Sequence, residues 1–337
     1  MDRHGTTEDV FETEAWFQNL VEHGFEQDPG HLVLALNQSS EAHAASLHLM
    51  RTPTGLTALS NYYSSLYGAV GLGEAGAVVD WHGLAQRMRR LPGSAIVRLQ
   101  PLDEQGVFLR GMAQGLQAAG YWVGRYFCFG NWYLPVAPGG FATYWADRPP
   151  ALKNAVARGR RRLDRQGAWR THIYSAGSPD LDQAIGAYQT VYAQSWKQLE
   201  PCPGFMPGLI RTAAAQGWLR LGVLWLDDQP IAAQVWLLHK GKANIYKLAY
   251  SEGQERYSPG SVLTADLMAH VMDTDGATQV DYLTGDDAYK QDWMSHRRER
   301  VGLVAFDPRR LLGLLGAARH FGGRLLKNRT VRAGLPR

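Results

Sequence analysis

Residues 219–250 read LRLGVLWLDDQPIAAQVWLLHKGKANIYKLAY. This stretch contains three apolar runs, Leu219–Leu226, Ile231–Leu238 and Ala243–Tyr250, separated by two short polar turns. Runs of this length joined by four-residue turns predict three consecutive antiparallel strands. This meander is the clearest structural signal in the chain, and it favours an α/β fold with mixed sheets.

Further elements are predicted on both sides of the meander. After it, Ser258-Pro259-Gly260 opens a helix to about Met272, and Gln279–Leu283 has the composition of a buried strand. Before it, a helix over 151–166 is followed by a strand and by a second helix with Ser178 as N-cap. This half of the chain therefore alternates helices with strands.

The N-terminal half shows the same alternation on a smaller scale. Helices are predicted at Phe11–His23, Trp81–Leu91 and Gln105–Ala119, and strands at His31–Leu36, Ala44–Met50, Gly55–Ser60, Ala95–Leu99 and Tyr121–Phe129. A joint rich in Pro and Gly follows at 131–140. We therefore predict one module over residues 1–140, a second over 141–307, and a tail over 308–337.

Composition excludes several classes of protein. The chain has 337 residues, of which 45% are hydrophobic, and its only cysteines are Cys128 and Cys202. Two distant cysteines form neither a disulfide framework nor a zinc site, and the histidines show no metal-binding spacing. No run reaches the roughly 18 apolar residues of a membrane span, and the first residues lack a signal-peptide pattern. We expect a cytoplasmic protein that holds no metal.

The net charge of +4 comes from the tail. Residues 308–337 contain eight Lys and Arg residues and no acid, so residues 1–307 are net acidic, and this charge argues against nucleic-acid binding. Leucines recur at helical spacing in this tail, which predicts a basic amphipathic helix. Such a helix either contacts an anionic membrane surface, at the inner membrane, or packs on the protein's own body.

Two segments have residues suited to chemistry. The helix that starts at Ser258 would point free N–H groups and a positive dipole end at an anion, and Arg256 would add charge. The alternative is an ordinary helix start. The second segment runs from Asp281 to Lys290 at a strand end, where carboxylates act as bases and a phenol donates protons. Its alternative is a polar turn, with Asp281 capping backbone donors and Lys290 paired with Asp286.

Three motifs give the chain a family resemblance. They are YKLAY at 246–250, YSPGSVL at 257–263 and DYLTGDDAYK at 281–290, followed by Trp293. Together they resemble the GNAT-type acyltransferases of the CelD/BcsL group, which are linked to exopolysaccharide production and are distantly similar to the FemAB aminoacyl transferases. The resemblance implies tandem GNAT-like modules, each with a mostly antiparallel central sheet flanked by helices. The first module is then degenerate and the second binds the acyl donor.

The resemblance also implies where the donor binds. Its pantetheine arm would lie in a gap between the strands at Ala243–Tyr250 and Gln279–Leu283, and its pyrophosphate on the following helix. The donor-binding residues so implied are Lys247, Leu248, Ala249, Tyr250, Arg256, Ser258, Pro259, Gly260, Ser261 and Val262. Because only Gly260 remains of the usual GNAT glycine loop, acyl-CoA and the phosphopantetheine of acyl carrier protein both stay open as donors.

The implied reaction is direct attack of a small-molecule amine, or a hydroxyl, on the thioester. Asp281 and Asp286 would act as base or orient the amine, a backbone N–H near Leu248 would stabilise the oxyanion, and Lys290 would support the site. Tyr289 or Tyr250 would protonate the thiolate.

Two other functions remain as alternatives. One is FemAB-like transfer from aminoacyl-tRNA, for which six arginines between Arg158 and Arg170 provide charge, although these also fit a solvated helix face. The other is a non-catalytic CoA-binding or scaffold protein at a membrane surface.

Overall fold

A computed structural model describes residues 8–36, 45–73 and 79–333, with side chains as far as residue 322. In chain order the elements are α1 (Glu14–His23), β1 (His31–Ala35), β2 (Ser46–Thr52), β3 (Gly55–Ala58), α2 (Trp81–Arg90), β4 (Ile96–Asp103), α3 (Val107–Ala118), β5 (Trp122–Pro135), α4 (Gly140–Ala146), α5 (Pro150–Gln166), β6 (Trp169–Tyr174), α6 (Leu181–Ala193), α7 (Phe205–Ala215), β7 (Leu219–Leu226), β8 (Gln229–His239), β9 (Lys242–Tyr250), α8 (Pro259–Ala269), β10 (Gln279–Asp281), α9 (Lys290–Trp293), β11 (His296–Phe306) and α10 (Leu311–Ala333). The predicted mixed α/β architecture is confirmed.

The chain forms two compact units. Of the described residues, the first unit contains residues up to 17, residues within 27–128 and residues from 299 onward. The second unit contains residues 18–26 and 129–298. These units do not follow a linear division at 140 and 307, because β5 and β11 each run from one unit into the other.

The first unit is a sheet with helices around it. Its strands pair in the order β1, β2, β3, β4 and β11, and only the β3–β4 pair is parallel. Helix α10 packs against this sheet through Ala317, in a cluster with Ile96, Val304 and Phe306. The backbone of α10 lies close to the sheet at Gly316, because a Cβ there would be 2.9 Å from the side chains of both Ile96 and Phe306. The tail is thus helical, as predicted, through Ala333, and residues 334–337 lie outside the described part.

The second unit contains the predicted meander. Strands β6, β7, β8 and β9 pair antiparallel in that order, and β10 lies between β9 and β5. Helix α8 is buried along much of its length and packs on β7, β8 and β9, where Gln234 of β8 donates to the Gly260 carbonyl at 2.9 Å. This apolar packing fixes the start of α8 beside the end of β9.

Several boundaries differ from the predictions. The joint at 131–140 is wrong in its first half, because Tyr133–Pro135 pair with β10 and extend β5. Ser178 is not the N-cap of α6: its hydroxyl accepts from the Ser175 backbone N–H, and the helix begins at Leu181. Strand β10 ends at Asp281, and neither α4 nor β11 was predicted from the sequence pattern. The predicted strand start at Ala44 lies outside the described residues.

Candidate active site

Strands β9 and β10 separate after a short pairing. They form a parallel ladder in which Gln279–Asp281 face Lys242–Asn244. Beyond Asn244, β9 continues to Tyr250, whereas the chain after Asp281 turns towards β5: the Tyr282 N–H donates to the Trp132 carbonyl at 2.9 Å. The two strands therefore diverge beyond Asn244, and no strand among the described residues pairs with the second half of β9 on this edge; we call this part of the edge the opening.

The start of α8 lies at the far end of this opening. Ser258 is in the left-handed region at φ 48° and its side chain makes no capping hydrogen bond, while Pro259 occupies the first helical position. The first-turn N–H groups thus receive no cap from Ser258 and carry the positive end of the helix dipole. A Cβ on Gly260 would lie 3.4 Å from the Tyr250 ring, so the helix start and the strand end are neighbours.

Arginines surround the same helix start. Arg256 is exposed, and its guanidinium lies 4.6 Å from the centre of the Tyr257 ring. Arg162 of α5 donates to the Arg256 carbonyl at 2.5 Å, and Arg158, Arg161 and Arg165 are also exposed on α5. The basic stretch is therefore a solvated helix face, and part of it lies next to α8.

A β-bulge interrupts the opposite edge of β9. Trp236 pairs with Ile245 and Val235 pairs with Lys247, which leaves Tyr246 as an extra residue. Bulges bend a strand and re-aim its backbone groups, and they are common beside active sites. The irregular backbone lies just before Leu248, near which the family resemblance implies the oxyanion donor; that role stays a prediction.

A charge cluster that the motifs did not indicate lies beside the bulge. The carboxylate of Glu200 is 3.0 Å from the ammonium of Lys247, and these side chains are only 10% and 11% exposed. Apart from this ion pair, neither Glu200 oxygen has a hydrogen-bond donor among the described residues. Burial, reinforced by the charge of Lys247, lowers the pKa of nearby Lys197 to about 8. Lys197 and Glu200 lie in the loop after α6. This loop has no hydrophobic periodicity, so the sequence pattern did not indicate these residues.

An aromatic side chain links this cluster to the opening. The ring of Trp196 lies 4.5 Å from that of Tyr250, and Trp196 is half-exposed. Burial raises the pKa of Tyr250, and the charge of Glu255 adds to this effect. The phenol of Tyr250 therefore stays protonated at neutral pH.

The predicted catalytic carboxylates have different surroundings. Asp281 is fully buried and accepts from the Asn131 amide at 2.6 Å and the Leu283 N–H at 2.7 Å. It also contacts Lys242 at 3.0 Å and pairs with Arg298. The predicted capping role of Asp281 is confirmed. A catalytic role stays a prediction, but these contacts are those of a carboxylate that holds the end of β10 in place.

Asp286 is half-exposed and is held from two sides. Arg297 donates to it through Nε and Nη2, at 3.0 and 2.7 Å, and Trp132 donates at 2.9 Å. The hydrogen bonds from Arg297, with its charge and the Trp132 donor, lower the pKa of Asp286. A carboxylate with a lowered pKa is a weaker base, so these contacts favour an orienting role.

Lys290 and Tyr289 lie on the same turn. Lys290 is buried and donates to the Thr284 and Gly285 carbonyls, and its ion pair is with Asp287 at 3.2 Å, not with Asp286 as the alternative predicted. Burial lowers the pKa of Lys290. Burial also raises the pKa of Tyr289 to about 12, so this phenol can donate but not ionise near neutral pH.

The described residues contain neither a metal-ligand cluster nor a membrane-spanning helix. Within residues 8–36, 45–73 and 79–333, no group of three His, Cys, Asp or Glu side chains is placed to hold a metal ion. In the same ranges, no helix is long and apolar enough to cross a membrane.

Part of the second unit matches a known family. Residues 151–291 match the family described as Acetyltransferase (GNAT) domain, a segment that contains β9, α8 and β10. No curated protein sequence matches the chain significantly.

Solved structures of similar fold cover most of the chain. FemX matches with a TM-score of 0.62 at 11% identity, over 90% of this chain and 93% of its own. L-PGS from Bacillus licheniformis matches with a TM-score of 0.54 at 11% identity, over 96% and 99%. The C-terminal domain (DUF2156) of a protein assigned as lysylphosphatidylglycerol synthetase from Agrobacterium fabrum matches with a TM-score of 0.56 at 13% identity, over 82% and 84%. At these identities the likeness concerns the fold alone.

Proposed function

We propose that this chain is an N-acyltransferase that moves an acyl group from a phosphopantetheine thioester, of acyl-CoA or acyl carrier protein, to a small-molecule amine. The observation that carries the proposal is the opening between β9 and β10, which leads to the uncapped start of α8 within the segment that matches the acetyltransferase family. The edge of β9 suits the amide groups of a pantetheine arm, which would add to the sheet like a strand.

The start of α8 suits the phosphate end of the donor. Its first-turn N–H groups, with Arg256 and Arg162 nearby, would contact the pyrophosphate of CoA or the single phosphate of a carrier-bound arm. Both donors share this chemistry. The exposed arginines of α5 provide more positive charge than a single phosphate needs. We therefore favour acyl-CoA, whose pyrophosphate is the larger anion.

The amine would approach from the Glu200 side of β9. Its nitrogen attacks the thioester carbon, the C–N bond forms, and the oxyanion is stabilised by backbone N–H groups at the bulge. The C–S bond then breaks. The amine proton passes to Glu200, directly or through water, and the thiolate takes a proton from Tyr250 or Tyr289. We assign this role to Glu200 because it is buried and, apart from its ion pair with Lys247, has no donor among the described residues, whereas Asp281 accepts from Asn131 and from the Leu283 N–H.

A donor panel tests the reaction. Purified protein is incubated with acyl-CoAs, acyl carrier proteins and aminoacyl-tRNAs, each with a mixture of amines, and mass spectrometry follows donor loss and product. We expect a thioester to be consumed. If only aminoacyl-tRNA is consumed, the donor is aminoacyl-tRNA and not a thioester, and the exposed arginines of α5 would then bind the tRNA. If CoA binds but no donor is consumed, the chain is a binding protein and not an enzyme.

A glycine variant tests the donor site separately. Gly260→Trp places an indole across the start of α8, and we expect CoA affinity, measured by calorimetry, to fall at least about tenfold, or about 1.4 kcal/mol. Gly186→Trp is the matched control, because Gly186 lies on the exposed side of α6 with open space around it. Equal CoA affinity in the two variants contradicts the proposed site.

A further inference from the structure

The first turns of helix α10 pack on the sheet of the first unit through small residues and not through leucines. A Cβ at Gly313 would lie 2.1 Å from the Asp307 carbonyl oxygen, so the backbones are in direct contact there. Ala317, one turn further, is 1% exposed. The small residues thus form the docking face, and the large apolar residues of the first turns lie elsewhere.

Four leucines at the start of α10 are exposed. Their exposed fractions are 72% for Leu311, 51% for Leu312, 41% for Leu314 and 59% for Leu315. We call these four residues the leucine patch. Single exposed apolar residues are ordinary, but four within five consecutive positions mark an interaction surface.

A basic cleft is lined in part by Arg309, which lies two residues before the leucine patch in sequence. Its volume is about 350 Å³, and its lining includes His82, Arg89, Arg90 and Arg309. Arg89 is paired with Asp307 at 2.8 Å. Asp307 pairs with Arg89 and Arg310, and no ion pair joins Arg90 or Arg309 to a carboxylate among the described residues, so the cleft carries a net positive charge. The cleft suits an anion of phosphate size.

We propose that the leucine patch and the basic cleft together form a docking surface for an anionic phospholipid membrane. The cleft takes the phosphate of a lipid headgroup while the leucines enter the acyl region. The rest of the segment supports this occupant, because Arg319, Arg324, Lys327, Arg329 and Arg332 follow in sequence and no acid occurs after Asp307. This proposal is independent of the acyl-transfer reaction.

A second copy of the chain is a poorer occupant of this surface. Four leucines provide far less than the about 800 Å² per partner that a stable interface buries. A two-fold contact would also bring the uncompensated arginines of one copy close to those of the other, and this repulsion opposes dimerisation. An anionic membrane satisfies both the leucines and the arginines.

Vesicle flotation tests the proposal with the full chain. We expect flotation with phosphatidylglycerol vesicles and not with phosphatidylcholine vesicles, and a partition coefficient at least about tenfold lower for the triple variant L311S/L314S/L315S. Val33→Ser, in exposed β1 of the same unit, is the control and should float like the native chain. The charge variant R90E/R309E should also float less than the native chain, because its leucines remain but its attraction to the anionic surface is reversed.

Three outcomes would overturn this inference. They are no flotation of the native chain, equal flotation of the triple variant, and a dimer in light scattering that only the triple variant dissociates. Inorganic phosphate added in excess distinguishes a lipid headgroup from free phosphate as the source of the anion. We expect flotation to persist, because the leucines contribute to membrane binding. Complete loss of flotation would mean that the cleft is a site for free phosphate.

Discussion

Asp281 and Asp286 are close in sequence but differ in the burial of their ion pairs. Asp281 is fully buried between Arg298, Lys242 and Asn131, whereas Asp286 meets Arg297 at the surface. A buried carboxylate that loses a cationic partner keeps its desolvation cost, while a surface pair is screened by water. The two pairs therefore allow a matched comparison.

We predict that Arg298→Met destabilises the fold much more than Arg297→Met. Breaking a buried pair costs about 3–5 kcal/mol, but Lys242 and Asn131 remain beside Asp281, so we expect a loss of about 2 kcal/mol in the free energy of unfolding. Urea unfolding followed by fluorescence gives both values. Equal losses in the two variants would mean that Asp281 is not held by Arg298 as the geometry indicates.

Lys197 provides a prediction on pH. Burial lowers its pKa to about 8, whereas the unfolded chain keeps a value near 10.5. Between these values the unfolded state binds more protons than the folded state, so the free energy of unfolding rises with pH across that window. Below about pH 8 the folded chain holds a buried ammonium, and its cost is fully present.

Amine labelling and unfolding measure this titration together. Trace acetic anhydride, with peptide mass spectrometry over a pH series, should show Lys197 becoming reactive with a midpoint near 8. In Lys197→Met the corresponding rise in unfolding free energy should be absent. A labelling midpoint near 10.5 would place Lys197 in solvent instead of beside Lys247.

At the scale of the element, α10 shows how position decides the effect of a glycine. We predict that Gly313→Ala destabilises the first unit by about 1–3 kcal/mol, because a methyl group there meets the backbone of Asp307, which cannot move aside as a side chain would. Gly322→Ala, with nothing near its Cβ, should instead stabilise the helix by about 0.5–1 kcal/mol. Thermal unfolding of both variants checks the two signs, and equal signs would contradict the docking face assigned to α10.

The elements that the sequence predicts best are those with strong local patterns. The meander of β7, β8 and β9 follows from three apolar runs and two polar turns, and the start of α8 follows from Ser258-Pro259-Gly260. The amphipathic spacing of the tail predicts its helix but not its docking face. Gly313 and Gly316 lower the helix propensity of this segment. Their presence is explained by close contacts with Asp307, Ile96 and Phe306, which the local sequence does not reveal.

The missed parts depend on contacts between distant segments. The end of β5 has a composition typical of a loop, and pairing with β10 makes Tyr133–Pro135 a strand. Glu200 lies in an irregular loop and meets Lys247 only when α6 packs on the sheet. No local periodicity encodes such a pair, so the motifs led to the carboxylates of β10 and not to Glu200.

For the whole molecule, the path of the chain restricts where it can be divided. The second unit needs β5 residues such as Tyr133, which pair with Asp281, and the first unit needs β11 residues such as Val304, which pair with Arg98. A cut in the exposed segment after Pro135 therefore leaves each fragment with an incomplete sheet. Each unit contains strands from both fragments.

We predict that fragments 1–138 and 139–337 do not fold when each is expressed alone, and that they assemble when expressed together. Alone, the first fragment lacks β11 and the second lacks β5, so strand edges that are paired in the full chain are exposed and prone to aggregation. Together they restore every ladder, and the cost of the cut is mainly the entropy of association. Circular dichroism and limited proteolysis of the separate and co-expressed fragments measure this. A soluble, cooperatively unfolding fragment 139–337 on its own would show that the sheet of the second unit does not need β5.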